Sequence, residues 1–506
     1  MHINVNDRDA VPVLTPADMR AVEQKAFGLG VPSLLLMEQA AHHVTDALCE
    51  MLDGGKSKRV LFVCGSGNNG GDGLAAARLF ALKGGKAEVL LQKHPKTEDA
   101  GKNLAFAKAM GIAVYAAEDE ELRHFASGYD AYVDALLGTG ISGAPDEKTA
   151  ALIELMNRSK KPVLSVDIPS GMDGKSGACP GVCVQADVTV CFHAVKPGLL
   201  LTEHREWTGK IIPVDIGMWG MEDTLRDAVQ EMHGRILAPA ALKCQHSKPL
   251  SSHKGNGGRI GIFAGSMGLC GAAAMCAKAA LQAGGGLVTL LCPGDCMPVL
   301  QKLVPGAMCM EIEKALAEKP MFDVLVMGCG LGQTDDVWQK IKALYDPAKP
   351  TVWDADALNL LAKDPFVLGE KAVMTPHPGE AARLLGCSIG QVLENRPLAA
   401  QKLCETYGCT VVLKSDVTVI CRMDNGKPEY IFNAAGTPAM AKGGSGDVLA
   451  GMLGAVLHRE QDPLQAAGLS CLWHGLSGEA GEKRFGMQEL TAETLIECFY
   501  EARKET

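Results

Sequence analysis

Short runs rich in β-branched and apolar residues alternate along the chain with stretches of helical period, an order that predicts mostly parallel sheets covered by helices. In the first half, strands are expected at Arg59–Cys64, Lys86–Leu91, 129–134 and 162–168, with helices between them at 73–83 and 99–110. This half closes near 209–217, and a charged stretch (222–231), Pro239 and a polar run (243–254) follow. The second half restarts with a strand at 258–264 and a helix at 272–283. Strands at Leu287–Cys292, 322–327, 351–354, 372–375 and 410–414 come next, the last forming a hairpin with 417–422. Helices are expected from Asp447 through His458 and again from Leu464. No short-period repeat is present. The resulting division is a domain over 1–225, a linker over 226–245 and a second domain over 246–506.

Composition supports two folded α/β domains. A chain of 506 residues exceeds what one core usually serves, and 47% hydrophobic with 21% charged residues excludes disorder as the main state. A net charge of -10 and only 5% aromatics argue against a nucleic-acid partner, which needs a basic face. The longest weakly polar stretch, 269–292, is broken by Lys278, Gln282 and Gly284 to Gly286, so no membrane span is predicted. The first nine residues lack the basic and apolar regions of a signal peptide. The 18 cysteines include no CxxC pair, and many sit in apolar runs, as Cys64 and Cys292 do. They read as reduced, small hydrophobes, so a reducing cytoplasmic compartment is expected.

The 58 glycines are about 11% of the chain against a usual ~7%, and many gather in loops after predicted strands. Gly65-Ser66-Gly67-Asn68-Asn69-Gly70-Gly71-Asp72-Gly73 follows the first strand and contains GxGxxG, where backbone N–H groups can approach a pyrophosphate. A plain dinucleotide fold also wants an acid at the end of the second strand, and Leu91-Gln92-Lys93-His94 has none. A turn serving chain geometry alone remains the alternative. Asp134, before Gly138-Thr139-Gly140, and Asp167, before Pro169-Ser170-Gly171, close two further strands. Either could be an Asx-turn or helix cap. Together with Asn69 and Ser170 they would make an oxygen cage suited to a hard cation.

The second half carries its own set. His253-Lys254-Gly255 leads into its first strand, either as a phosphate contact or as a plain turn, and Gly328-Cys329-Gly330-Leu331-Gly332 can admit a ligand close to backbone. Asp354 and Asp356 follow one strand, and His377 with Glu380 follows the next. No second histidine stands near His377, which excludes a zinc site. Lys442-Gly443-Gly444-Ser445-Gly446-Asp447 opens a helix. Its N–H groups can hold a phosphoryl group while Asp447 accepts a proton from an attacking hydroxyl. The simpler reading is an acid favouring a helix N-terminus.

Asn-Asn-Gly-Gly-Asp-Gly, Val-Asp-Ala-Leu-Leu-Gly-Thr-Gly and Val-Asp-Ile-Pro-Ser-Gly-Met-Asp-Gly, in that order over roughly 10–220, resemble the NAD(P)H-hydrate epimerases. The resemblance implies a Rossmann-like three-layer fold that interconverts the R and S epimers at C6 of hydrated NADH or NADPH. It implies substrate contacts from Asn68, Asn69, Gly70, Gly71 and Asp72, from Gly138, Thr139, Gly140, Ile141, Ser142, Gly143 and Ala144, and from a catalytic Asp167. It also implies a potassium ion on Asn69, Asp134 and Ser170. The loop His193-Ala194-Val195-Lys196-Pro197-Gly198 matches too, with a structural or a functional role equally open.

Gly-Gly-Ser-Gly-Asp with Ala264-Gly265-Ser266, Asp-Ala-Asp-Ala-Leu-Asn and Pro-His-Pro-Gly-Glu, over about 245–500, resembles the ribokinase-like ADP/ATP-dependent NAD(P)H-hydrate dehydratases. This second resemblance implies phosphorylation of the S hydrate by ADP or ATP with Mg²⁺, then loss of phosphate. Ala272, Gly330, His377 and catalytic Asp447 would contact the hydrate. Lys414, Ser415, Asp416, Val417, Thr418 and Gly446 would contact the nucleotide. Two positions depart from the family: Ser415 stands where glycine is common and Thr437 where asparagine is. Ser415 matters if its backbone needs a positive φ. The expected partners are small molecules only (NADHX, NADPHX, ADP or ATP), with a homo-oligomer as the assembly. The rival reading is a small-molecule kinase carrying a regulatory N-terminal nucleotide-binding domain.

Overall fold

The computed structural model describes residues 9–117, 125, 127–140, 143–245 and 254–504. The chain divides into two compact units, one over Val11–His233 and the other made of Gly234 onward together with Asp9 and Ala10. Strand β1 (Ala10–Val13) and the helices Pro16–Gly28 and Ser33–Met51 come first. The first sheet is built from β2 (Arg59–Cys64), β3 (Lys86–Leu91), β4 (Ala113–Ala116), β5 (Ala131–Ala135), β6 (Val163–Val166), β7 (Val188–Phe192) and β8 (Lys210–Val214). Their order is β4-β3-β2-β5-β6-β7-β8, and every neighbouring pair is parallel.

β2 shows why this half has three layers. Val60, Phe62 and Cys64 enter one apolar cluster with Leu74 and Phe80 of the helix Asn68–Leu82. Leu61 and Val63 enter a second with Tyr132, Leu152 and Met156. A strand buried on both faces has no polar side to show, so its sequence is a continuous apolar run.

The second unit contains β9 (His233–Leu237), β10 (Arg259–Phe263), β11 (Leu287–Cys292), β12 (Met308–Glu311), β13 (Val324–Met327) and β14 (Thr351–Trp353). β15 (Ala372–Met374), β16 (Thr410–Leu413), β17 (Thr418–Asp424) and β18 (Lys427–Asn433) complete it. The order runs β9-β18-β17-β16-β15-β14-β13-β10-β11-β12. Pairing is parallel from β12 across to β16. It turns antiparallel through the expected hairpin of β16 and β17 and on to β18.

Strand order reverses beside β2 and β5 in one sheet and beside β10 and β13 in the other, where ligands of open α/β sheets bind at the carboxyl ends. The motifs lie after β2, β5, β6 and β7 in the first sheet and after β10, β13, β14, β15, β16 and β18 in the second. All described cysteines are unbridged, and among the described residues no helix is long and apolar enough to cross a membrane.

Candidate active sites

The loop after β2 is glycine-rich because it touches the loop after β5. A Cβ on Gly65 would stand 1.9 Å from the Leu136 carbonyl oxygen, one on Gly70 2.0 Å from the Gly65 oxygen, and one on Gly73 2.4 Å from the Ala135 Cβ. The helix therefore starts at Asn68, five residues before the sequence pattern suggests, with Gly70 and Gly71 inside its first turns. No side chain caps its first N–H groups, so the helix start can meet an anion. Gly65→Ala is expected to cost about 1–3 kcal/mol or more through overpacking against backbone. A denaturant midpoint equal to that of the wild type would show that the two loops can part freely.

Asp134, at the end of β5, is completely buried. Its Oδ1 accepts from the Ser170 hydroxyl (2.6 Å) and the Leu136 N–H (3.3 Å). Its Oδ2 accepts from the Ser170 N–H and the Ser165 hydroxyl, both at 2.8 Å. Burial pushes this carboxyl up, and the Ser170 and Ser165 bonds pull it back. The Ser170 hydroxyl also lies 3.3 Å from the Leu137 carbonyl, which accepts from Asn69 Nδ2 at 3.1 Å. A Cβ on Gly138 would reach the Asn69 Cβ at 3.3 Å. Asn69, Asp134, Ser170 and Gly138 thus form one oxygen-rich cluster in which every partner of the carboxylate is neutral.

Asp167 ends β6 with φ +66°, a left-handed conformation costing a non-glycine residue about 1–3 kcal/mol. Surrounding bonds hold it there. The Asp167 N–H donates to Val190 O at 2.8 Å, and Oδ1 accepts the Phe192 N–H at 3.1 Å and the Lys196 ammonium. Lys196 has no exposed surface, and its ammonium also donates to Phe192 O at 3.1 Å. Burial opposes its charge, but Asp167, Cys191 and Glu23 outweigh burial and raise its pKa. Burial, then the carboxylates of Asp167 and Glu23, push Asp72 well above the usual carboxylate range. Glu23 is raised by burial as well, with Lys196 pulling the other way. Sequence reasoning left the role of Lys196 open and missed Glu23, which belongs to no motif.

Of the other residues marked in this half, Asn68 is exposed at the helix start. A Cβ on Gly71 would meet the Met37 side chain at 2.7 Å. Gly138 and Gly143 line a small cleft with Pro169, Gly171 and Met172. The Thr139 carbonyl accepts from Arg20 at 3.4 Å, Gly140 borders open space, and Ala144 lies beside Gly181. Ile141 and Ser142 lie outside the described residues.

In the second unit Asp354, 2% exposed at the end of β14, is the hub. Its Oδ1 accepts from Lys414 Nζ and the Thr375 hydroxyl, each at 2.7 Å. Burial opposes the Lys414 charge, but Asp354 and Glu380 outweigh it and hold the ammonium up. A Cβ on Gly446 would lie 3.4 Å from Lys414 Nζ and 3.9 Å from Asp354 Oδ2. The helix Ser445–Arg459 starts from Gly444 at φ +94° with no side-chain cap. Asp447 sits in its first turn and is pushed up to about 6, first by burial and then by Asp354. Ligating atoms of Cys329, Asp354 and Asp447 lie within 4.8 Å of one another.

The remaining positions divide. Gly330, at φ +64°, packs against Ala272, since an added Cβ would reach the Ala272 Cβ at 3.0 Å. His377 caps the helix Pro378–Leu385, with Nδ1 accepting from Gly379 N–H at 3.0 Å while Glu380 accepts the His377 N–H at 2.9 Å. Burial and then Lys414 lower the His377 pKa, so its exposed ring is neutral at pH 7. Ser415 is not in the left-handed region, so its side chain strains nothing. Its hydroxyl accepts from Arg396 at 3.0 Å and donates to Asp416 at 2.9 Å, and Arg396 also pairs with Asp416. Val417 is fully buried, and Thr418 Oγ1 lies 3.5 Å from Ser415 O. Thr437 caps a short helical turn and donates to Glu482. Sequence reasoning missed His474, whose Nε2 lies 3.0 Å from the Ser445 carbonyl and whose pKa burial lowers to about 4.

Two family models match the chain: "NAD(P)H-hydrate dehydratase" over residues 260–500 and "YjeF-related protein N-terminus" over 33–198. The bifunctional NAD(P)H-hydrate repair enzyme Nnr of Escherichia coli K12 is 38% identical over 445 residues, spanning 86% of this chain and 83% of that protein. The enzyme of the same name from Moorella thermoacetica is 34% identical over 511 residues, with 96% and 95% covered. Among solved structures, the ADP/ATP-dependent NAD(P)H-hydrate dehydratase from Bacillus subtilis, co-crystallized with ATP and Mg²⁺, is 26% identical with a TM-score of 0.49. That match covers 53% of this chain and 98% of that one.

Proposed function

The chain belongs to the family of bifunctional NAD(P)H-hydrate repair enzymes, and from that premise we propose that its first unit epimerises hydrated NAD(P)H and its second dehydrates the S epimer at the expense of ADP or ATP. The observation that carries the reading is Asp447. Its carboxyl titrates at about 6, at an uncapped helix start beside the Lys414–Asp354 pair. At neutral pH that group is mostly a carboxylate and can take the proton of the hydrate C6 hydroxyl.

As the hydroxyl oxygen attacks the terminal phosphorus of the nucleotide, the bond to the bridging oxygen breaks and AMP or ADP leaves. N–H groups at Gly446 and Asp447 and the ammonium of Lys414 face the charge that develops. The phosphorylated hydrate then loses phosphate from C6 and a proton from C5, restoring the dihydropyridine ring. Ala272, Gly330 and His377 border the hydrate in this reading, while Ser415 to Thr418 lie along the nucleotide. Mg²⁺ would travel with the nucleotide and neutralise its phosphates.

In the first unit the hydrate lies between the loops after β2, β5 and β6. Electrons from N1 expel the C6 hydroxyl, which takes a proton from the raised Asp72 carboxyl and leaves as water, and water returns on either face. Asp167, paired with Lys196, takes the proton of the returning water. The oxygen cluster of Asn69, Asp134 and Ser170 fits potassium, because a buried carboxylate with only neutral partners gains from a weakly hydrated cation. When bound, that ion would anchor the loops after β5 and β6.

The test is a mixture of R and S hydrates with K⁺, Mg²⁺ and either ADP or ATP, followed by ring absorbance and phosphate release. Absorbance is expected to return beyond the S fraction, with one phosphate per ring restored. A stable phosphorylated product without absorbance recovery would instead mark a small-molecule kinase.

A further inference from the structure

The loop between β16 and β17, Lys414 to Val417, is fixed at both ends. The Lys414 N–H donates to Pro376 O at 2.9 Å, its ammonium pairs with Asp354, and Val417 is fully buried. Between these anchors Ser415 is half-buried and Asp416 is exposed, so the middle of the loop has little packing of its own. What holds it comes from another element. Arg396 is the first residue of the helix Arg396–Tyr407, and its side chain is only 6% exposed. Its Nη1 donates to the Ser415 hydroxyl at 3.0 Å and also to the Asp416 carboxylate. The Ser415 hydroxyl in turn donates to the same carboxylate oxygen at 2.9 Å, so the three side chains close a ring. Asn395 caps the helix through the Leu398 N–H at 3.1 Å, which fixes the backbone from which Arg396 reaches the loop. A buried ion pair is weak evidence for stability, because desolvation offsets most of its attraction. Charge-assisted bonds from a buried guanidinium do, however, restrict where their partners can stand.

We propose that Arg396 is a positioning residue of the second site: through Ser415 and Asp416 it holds the β16–β17 loop in the one arrangement that receives the nucleotide. This inference rests on the dehydratase reading and deepens it, because it names what pre-organises the donor subsite. A loop formed only part of the time binds more weakly by the fraction of time it is formed, while the filled site reacts as before. The bonds of Asp354 to Lys414 and to Thr375 do not involve Arg396, so the phosphoryl end of the site keeps its own supports.

The experiment gives the full-length protein pre-formed S hydrate and varies ADP and, separately, ATP, for the wild type, Arg396→Lys and Arg396→Gln. Calorimetry measures nucleotide binding without hydrate, and melting temperatures check the fold. Lysine keeps the charge but not the planar head, and glutamine removes the charge and leaves the exposed Asp416 to water. Both variants are expected to raise the nucleotide KM and dissociation constant about tenfold, as for a loop formed about a tenth of the time. The hydrate KM, and kcat at saturating nucleotide, should not follow. Repeated in a Ser415→Ala background, Arg396→Lys should weaken nucleotide binding much less than it does alone, because the ring is already open. Unchanged nucleotide binding would overturn the proposal, and so would a fall in kcat equal to the rise in KM, a matching change in the hydrate KM, or a full additive loss in the Ser415→Ala background. Should Arg396→Gln fail to fold, Arg396→Lys decides on the same readouts. If the wild type restores the ring and the variants bind nucleotide as it does, only this inference falls. If the wild type binds neither ADP nor ATP, the dehydratase reading falls and this inference falls with it.

Discussion

Asp447→Asn is expected to cut nucleotide-dependent dehydration by about 10²–10⁴-fold, the range a positioned general base supplies, while R/S interconversion continues at the wild-type rate. Asparagine preserves the shape of the side chain in a helix start that no side chain caps, so the loss falls on proton acceptance. The wild-type dehydration rate should rise as pH passes about 6, where Asp447 gives up its proton, and the residual Asn rate should lack that rise. Stability supplies an independent reading. The folded Asp447 binds its proton more tightly than the unfolded chain does, so the wild type loses stability as pH climbs from about 4 to about 6. The Asn variant has no such proton to lose and should melt higher than the wild type at pH 8, with the difference shrinking towards pH 4. Loss of interconversion in the same variant, or a dehydration rate within a few-fold of wild type, would remove Asp447 from the chemistry.

The core strands of both sheets were legible because parallel strands buried on two faces leave a plain apolar signature, as β2 and β11 do. β4 was not: it is a sheet edge only four residues long and mostly exposed, Tyr115 included, so it is too short for a pattern to show. β7 is buried but follows a loop of Gly, Pro and Cys that hides its start. The two opening helices are weakly patterned, and the first buries only Asp18, Met19, Val22 and Ala26. Asp18 is buried for a reason no local pattern carries, since its carboxylate accepts the N–H groups of Gln230, Glu231 and Met232.

Site residues divide along the same line. Asn69, Asp134, Ser170 and Asp447 stand in short motifs whose glycines and acids are odd for packing, and that oddness is visible within a few positions. Lys196, Arg396 and His474 reach motif residues from elsewhere in the chain. Lys196 lies 29 positions from its carboxylate partner, and His474 lies 29 positions from the carbonyl it meets. His474 sits among apolar neighbours in the helix Pro463–Phe485, where a histidine looks like ordinary core. Arg396 shows what tertiary pairing can accommodate. The serine that replaces glycine after Lys414 is met by an arginine 19 residues earlier in the chain, so the departure from the family does not strain the loop.

Asp167→Asn should eliminate R/S interconversion and also weaken the fold of the first unit, because it strands the Lys196 ammonium without its carboxylate. Removing one partner of a buried ion pair typically costs about 3–5 kcal/mol, and Lys196 has no exposed surface through which water could compensate. Asparagine tolerates the left-handed backbone at this position better than alanine, so the change isolates the charge from the strain. Hydrogen exchange should show peptides of β6 and β7 losing protection, while the dehydratase still consumes pre-formed S hydrate. The double variant Asp167→Asn with Lys196→Met removes the stranded charge and should recover most of the lost protection, since an apolar side chain of similar length fits where the ammonium stem packed. It should not recover interconversion, because the proton acceptor is still missing. If the double variant regains both, Asp167 serves only to neutralise Lys196. If the single variant keeps both fold and rate, the pair is neither structural nor chemical, and the first site must be sought elsewhere among these loops.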